Sequence, residues 1–192
     1  METEDIALFD MDGTLCDYEH GLAQSLEIIQ SPTDSPIKLP LTADAPKYVW
    51  QRVQLITESP EWWAELAPLQ LGFDLWKLSE QLHYRQMILT QGPKRNAHAW
   101  SGKKMWIDKH LGQNVDITIT RDKGLVYGKV LVDDYPPYIE RWLAWRPRGL
   151  VIMPANDGNS HFAHKQVIRY DGSNLAEVHH AMSEARQRGR QI

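Results

Sequence analysis

The chain holds one cysteine in 192 residues, and a single thiol closes no internal disulfide. Cys16 fits a reducing compartment and reads as a small buried hydrophobe rather than a nucleophile, although it lies close to Asp12. No apolar run approaches the ~20 residues that cross a bilayer, so a membrane-spanning helix is excluded. Positive charge is not in excess either. The 21 Lys and Arg stand against 25 Asp and Glu, a formal net charge of −4, which argues against a nucleic-acid polymer as partner. An anionic ligand would have to be held by local lysines and a cation. The opening Met1-Glu2-Thr3-Glu4-Asp5 lacks the basic start and apolar stretch of a secretory signal, so a cytoplasmic location is expected. Internal repeats and low-complexity tracts are absent as well.

What is present is an ordinary globular composition, 42% hydrophobic and 24% charged, in a chain long enough for one substantial core and a small insertion. The most informative stretch is Ile6-Ala7-Leu8-Phe9-Asp10-Met11-Asp12-Gly13-Thr14. Four consecutive apolar residues predict a strand buried on both faces, and Gly13-Thr14 marks the turn that ends it. A carboxylate pair then stands at the carboxyl end of the strand, where open α/β sheets bind their ligands.

The pattern that follows is helical. Helices are predicted over Tyr18 to Gln30, Ala45 to Glu58 and Phe73 to Tyr84, the last with Phe73, Trp76 and Leu82 inward; the proline-rich stretch 31–45 and a short aromatic segment, 61–66, lie between them. From there strands alternate with helices: strands at Met87 to Thr90, Asp116 to Thr120, Val130 to Asp133, Leu150 to Met153 and around Val167-Ile168, with helices over Ser101 to Leu111 and Pro137 to Trp145. A final helix follows Asn174 and carries Leu175, Val178 and Met182. The expected fold is α/β, an open parallel sheet with a Rossmann-like core in 1–15 and 81–192 and a helical cap in 16–80 inserted after the first strand.

Several of these strands run into polar residues of complementary kinds. Asp10 and Asp12 follow the first, Thr90 ends the second, Lys123 lies just past the third, and Asp133-Asp134 end the fourth. Singly, Thr90 reads as a strand-end residue, Lys123 as a solvated side chain and Asp133-Asp134 as a helix cap before Pro136-Pro137. A calcium loop at Asp10 fails, because Gly21 stands where that loop needs a glutamate. Converging at one edge of a sheet, the set supplies what phosphoryl transfer requires. Asp10 can attack phosphorus, Asp12 can move a proton, Asp10 with Asp134 can hold a hard cation such as Mg²⁺, and Thr90 with Lys123 can stabilise the equatorial oxygens.

In this order the motifs resemble the haloacid dehalogenase-like hydrolases. A finer match links Thr90-Gln91-Gly92-Pro93, the 103–112 stretch, Ile119 to Lys123 and Val130 to Asp134 to the 5′-nucleotidase type C family of 5′(3′)-deoxyribonucleotidases. The resemblance implies Asp10 as nucleophile and Asp12 as acid/base. It implies Mg²⁺ on the Asp10 carboxylate, the Asp12 carbonyl and Asp134, with Asp133 in support. Thr90, Lys103 and Lys123 would contact phosphate, Lys103 from the start of its helix, where backbone N–H groups favour an anion. Trp63 would lie against the base, and the cap would close over the base; Trp62 and Trp63, being adjacent, cannot both point the same way, so one could pack and the other face the cleft. The chain departs from the family where Gln91 replaces a serine and where Tyr135 follows the paired aspartates instead of a basic residue. Gln91 therefore bears on the base and sugar pocket. The implied activity is a Mg²⁺-dependent phosphatase acting on nucleoside monophosphates, deoxyribonucleotides by preference. A phosphatase acting on a sugar phosphate or another small phosphoester is the alternative, and a non-catalytic nucleotide-binding module is a third reading. The implied partner is a small nucleotide, with no membrane and no polymer, and a homodimer is left open.

Overall fold

Ile6–Phe9 forms strand β1 in the middle of a six-stranded sheet, with Ala7, Leu8 and Phe9 fully buried, as a strand covered on both faces should be. The computed structural model describes residues 4–37, 39–42, 44–94 and 96–188. Its other strands are β2 (Arg85–Thr90), β3 (Asp116–Ile119), β4 (Val130–Val132), β5 (Leu150–Pro154) and β6 (Val167–Tyr170). Every pairing is parallel, in the order β3-β2-β1-β4-β5-β6. The order reverses between β1 and β4, the switch point at which such sheets open a crevice beyond their carboxyl ends. Register does the rest: Phe9 lies beside Ile88 of β2 and Val132 of β4, so Asp10 and Asp133 emerge side by side.

Seven helices occur among the described residues: α1 (Tyr18–Ile28), α2 (Lys47–Thr57), α3 (Pro60–Ala64), α4 (Gln70–Gln81), α5 (Ala97–His110), α6 (Pro136–Leu143) and α7 (Leu175–Gln187). The short aromatic segment is helical because Ser59 caps it, accepting from Trp62 N at 3.3 Å, and Pro60 takes the first turn. α4 ends at Gln81, and His83 turns the chain with a φ of 56°. Leu75, Trp76 and Leu78 are its buried apolar residues, whereas Phe73 and Leu82 are half-buried. α5 begins earlier than its apolar spacing suggests, since Asn96 caps it by accepting from Ala99 N at 3.2 Å. Lys103 therefore stands mid-helix, and the expected anion site at a helix start does not apply to it, because N–H groups there are consumed by the helix ladder. The Met1-Glu2-Thr3 part of the acidic lead-in lies outside the described residues.

The chain divides into two compact units. One takes residues up to Cys16, Pro68–Gln91 and the chain from Val115 on; the other takes Asp17–Ala67 and Gly92–Asn114. This differs from the sequence expectation at two segments. α4 belongs with the sheet, because Trp76 packs on Phe9 (ring centroids 4.9 Å apart) and Gln86 Nε2 donates to Trp76 O at 2.8 Å and Ser79 Oγ at 2.9 Å. Gly72 permits the approach, since a Cβ there would meet Thr14 O at 2.0 Å. α5 belongs with α1–α3, because Trp106 donates to Leu66 O at 2.8 Å and Gly102 lies against Pro60 and Trp63. Helical periodicity reports that a helix buries one face, never which unit receives it.

In the first unit Leu8, Leu89, Leu131, Val151 and Met153 pack with Ile139 and Trp142 of α6. Asp5 joins the start of β1 to Lys129 at 2.6 Å and to Arg186 of α7 at 3.0 Å. No described helix is long and apolar enough to cross a membrane.

Candidate active site

Asp10 lies one residue past β1, 5% exposed, its N–H donating to Val132 O at 2.8 Å so that the strand pairing continues through it. Its Oδ1 accepts from Met11 N at 2.7 Å and its Oδ2 lies 2.8 Å from Lys123 Nζ. Beyond Asp10 the chain folds back: Leu15 N and Cys16 N donate to Met11 O at 2.8 and 2.9 Å, and Gly13 N donates to Cys16 O at 2.9 Å. Gly13 takes a φ of 75°, a region that glycine enters without strain. It is also needed for space, because a Cβ there would stand 2.5 Å from Asp134 Oδ2. Half-buried Asp12 occupies this turn, accepting from the buried Cys16 thiol at 3.8 Å.

Lys123 opens a single 3-10 turn, Lys123–Leu125, capped by Asp122, which accepts from Gly124 N at 3.0 Å and is itself gripped by Arg141. At 2% exposure its ammonium bridges Asp10 and Asp133 Oδ2, the latter at 2.6 Å. Burial opposes the charge, yet the two carboxylates outweigh it and hold Lys123 above the ordinary lysine range. Asp133 is fully buried, and its other oxygen accepts from Tyr135 N at 3.0 Å. Burial pushes its carboxyl up, and the adjacent ammonium pulls it back.

Asp134 faces the same point from the other side. Its Oδ1 accepts from Thr14 Oγ1 at 2.9 Å and its Oδ2 from Asn156 Nδ2 at 3.0 Å. Burial, with Asp133 and Asp10 adding repulsion, pushes its carboxyl up to about 8. One oxygen from each of Asp10, Asp133 and Asp134 can be chosen so that all lie within 4.8 Å of one another. Three clustered carboxylates, two of them sharing the Lys123 ammonium, suit a hard divalent cation, which prefers oxygen ligands. Asp133 is sealed off, whereas Asp10 and Asp134 retain exposure, so the donor set fits a cation held by those two.

Of the residues expected from the sequence, the structure brings Asp10, Lys123, Asp133 and Asp134 into direct contact or within a few ångströms. Thr90 ends β2 fully buried at the same sheet edge, and the half-buried Gln91 follows it. Lys103 and Trp63 belong to the other unit. Lys103 is fully buried with Nζ 5.1 Å from the Trp63 ring centroid. Trp63, expected to lie against a base, is 3% exposed; its indole donates to Thr57 O at 2.9 Å and its ring stacks on Tyr18 at 5.4 Å. Trp62 meets it edge to face at 5.0 Å, and both rings pack on Tyr18, so the adjacent pair does not divide into one packed ring and one free of it.

Four residues escaped the sequence reading. Tyr138, on the first turn of α6, sets its ring 4.6 Å from Lys123 Nζ and donates its hydroxyl to Gln91 Oε1. Fully buried Asn159 donates to Asp134 O at 3.1 Å and Pro154 O at 2.8 Å, while its Oδ1 accepts from Asn156 N and Arg169 Nε, both at 3.1 Å. Asn156, Asn159 and Arg169 thus brace Asp134. The asparagines were findable, since Asn156-Asp157-Gly158-Asn159 follows β5 at the edge where the other strands carry their polar residues.

A doubly wound sheet with this carboxylate cluster and buried lysine at its switch point defines a haloacid dehalogenase-like hydrolase fold. Solved structures agree: a haloacid dehalogenase-like family hydrolase from Xanthomonas campestris superposes with a TM-score of 0.57 at 12% identity, covering 98% of this chain and 99% of that one. A HAD family hydrolase from Deinococcus radiodurans R1, with bound phosphate and sodium, gives 0.58 at 12%, covering 95% and 96%. Within that class, residues 4–187 match the family model of the 5′ nucleotidase, deoxy (Pyrimidine), cytosolic type C protein, and the chain belongs to this family. It is 30% identical over 146 residues to the human cytosolic-type 5′(3′)-deoxyribonucleotidase, 66% of this chain and 69% of that protein. It is 27% identical over 146 residues to the mouse mitochondrial 5′(3′)-deoxyribonucleotidase, 67% of this chain and 64% of that protein. Membership makes the protein a phosphoric monoester hydrolase.

Proposed function

We propose that the protein hydrolyses nucleoside monophosphates, deoxyribonucleotides by preference, through an aspartyl phosphate on Asp10 in a Mg²⁺-dependent reaction. The observation that carries this reading is the buried Lys123 ammonium held between Asp10 and Asp133 with Asp134 alongside. Such an arrangement sets an ammonium against Asp10 at the carboxyl end of its strand and places fixed positive charge where phosphoryl oxygens gather.

In the first step an Asp10 oxygen forms a bond to phosphorus while the bond to the leaving oxygen breaks, and Asp12 gives that oxygen its proton. In the second, Asp12 takes a proton from water, the water oxygen bonds to phosphorus, and the Asp10–phosphorus link breaks, restoring the Asp10 carboxylate and the protonated Asp12. Asp12 suits a proton shuttle because it is half-buried in the turn that begins at Asp10, separate from the lysine clamp. Thr90 and Lys123 would stabilise the transferring phosphoryl group. Asp10, the Asp12 carbonyl and Asp134 would hold Mg²⁺, which when bound supplies the positive charge that the clustered carboxylates and the phosphate need. No step uses Lys103 or Trp63, whose phosphate and base contacts rest on the family resemblance alone.

The test is phosphate release from a panel of deoxyribo- and ribonucleoside monophosphates and sugar phosphates, with Mg²⁺ and with chelator. We expect turnover of deoxynucleotides above the rest, loss with chelator, and a fall in kcat of at least ~1,000-fold in Asp10→Asn, which cannot form the aspartyl phosphate. Undiminished turnover by Asp10→Asn would refute the mechanism. Preferential turnover of sugar phosphates would replace the substrate class.

A further inference from the structure

The buried residues of α6 are Ile139, Trp142 and Leu143, while half-buried Tyr138 rests its ring edge to face on Tyr135 at 4.9 Å and has both ends of its side chain engaged. The ring covers one side of Lys123, whose ammonium is otherwise directed at Asp10 and Asp133. A π face attracts the cation less strongly than a charged oxygen does, so it keeps the ammonium from tilting without competing for it. The hydroxyl donates to Gln91 Oε1. That bond fixes the plane of the carboxamide and commits its acceptor, leaving the two Nε2 hydrogens with no partner among the described residues.

Position gives those donors a use. Thr90 is fully buried, whereas Gln91, one residue farther from the sheet, is half-exposed. Gln91 is thus the donor reachable by the part of a substrate that extends outside the buried charged cluster. We propose that Gln91 is a specificity-determining residue that donates to a hydrogen-bond acceptor beyond the phosphate, and that Tyr138 is the positioning residue that orients it while steadying Lys123. This deepens, and rests on, the phosphatase reading above.

Two substrates separate the parts: a deoxynucleoside monophosphate, which carries acceptors beyond its phosphate, and phenyl phosphate, which carries none. Tyr138→Phe keeps the ring and removes the hydroxyl. It should raise KM for the nucleotide roughly tenfold, about the effect of one lost hydrogen bond, with kcat and phenyl phosphate kinetics unchanged. Gln91→Met should do the same, and the double variant should be no worse than Gln91→Met alone, because the hydroxyl acts only through the amide. Tyr138→Leu, lacking the ring, should lower kcat on both substrates, and Tyr138→Phe should restore it. Nucleotide KM unchanged in both Tyr138→Phe and Gln91→Met would overturn the proposal, as would an equal rise for both substrates. A wild-type protein that releases phosphate from neither would instead overturn the phosphatase reading beneath it.

Discussion

Gly13 is the smallest residue in the site and among the least replaceable. Its φ of 75° costs an L-residue about 1–2 kcal/mol, and the Asp134 carboxylate occupies the space a Cβ would need, with Oδ2 at 2.5 Å. Gly13→Ala should therefore destabilise the protein by about that amount and also shift Asp134. A displacement near 1 Å in such a site is worth about 100-fold in rate. Denaturant melts and steady-state kinetics on the same sample check both, and an alanine variant of full activity would show that Asp134 has other room. At this scale the sequence was legible where chemistry is written in residue type, as in Asp10, Lys123 and Asp134. It was not legible at Tyr138, whose role depends on which lysine its ring covers, nor at Asn159, a turn residue by type and a buried brace by position.

At the level of elements, α5 shows how one capping residue moves a boundary. Asn96 accepts from Ala99 N and its Nδ2 donates to Thr57 O at 2.7 Å, so it starts the helix and ties that start to the end of α2. Asn96→Ala should cost about 1–2 kcal/mol, the upper part of the range for a lost cap because a second hydrogen bond goes with it. Thermal unfolding measures this directly. Asn96→Asp should recover part of the loss, since it keeps the cap acceptor and gives up only the donor to Thr57. The elements themselves were readable from apolar spacing, because burial of one face imposes a period whatever the face meets. Their ends were less so: capping at Asn96 and Ser59 and the left-handed turn at His83 depend on a few local hydrogen bonds.

Across the whole molecule, folding forces carboxylates together that an unfolded chain keeps apart. Asp134 is pushed up to about 8, far above its value in an unfolded chain, so between those limits the folded protein binds more protons than the unfolded one. Stability without a bound divalent cation should therefore fall as pH rises from about 4 to about 8 through this group. A cation that takes the place of the proton reverses the penalty. Mg²⁺ should raise the melting temperature more at about pH 8.5 than at about pH 6, approaching about 2.7 kcal/mol of stabilisation at a hundred times its Kd. Calorimetry at the two pH values checks this, and an equal shift at both would mean that the ion binds elsewhere.

The sequence by itself determined the α/β class, the buried first strand, and the order in which the carboxylates, hydroxyl and lysine follow their strands, because strand burial and strand-end chemistry are local properties of residue type and spacing. The tertiary structure alone decided that α4 joins the sheet and α5 the other helices, that Trp63 is packed by Tyr18 and Lys103 in its own unit, and that Tyr138, Asn159 and Gly13 shape the site. Those outcomes depend on which surfaces meet across long separations in the chain, as when Asp134 fills the space that Gly13 leaves, and no pattern of neighbours along the sequence records it.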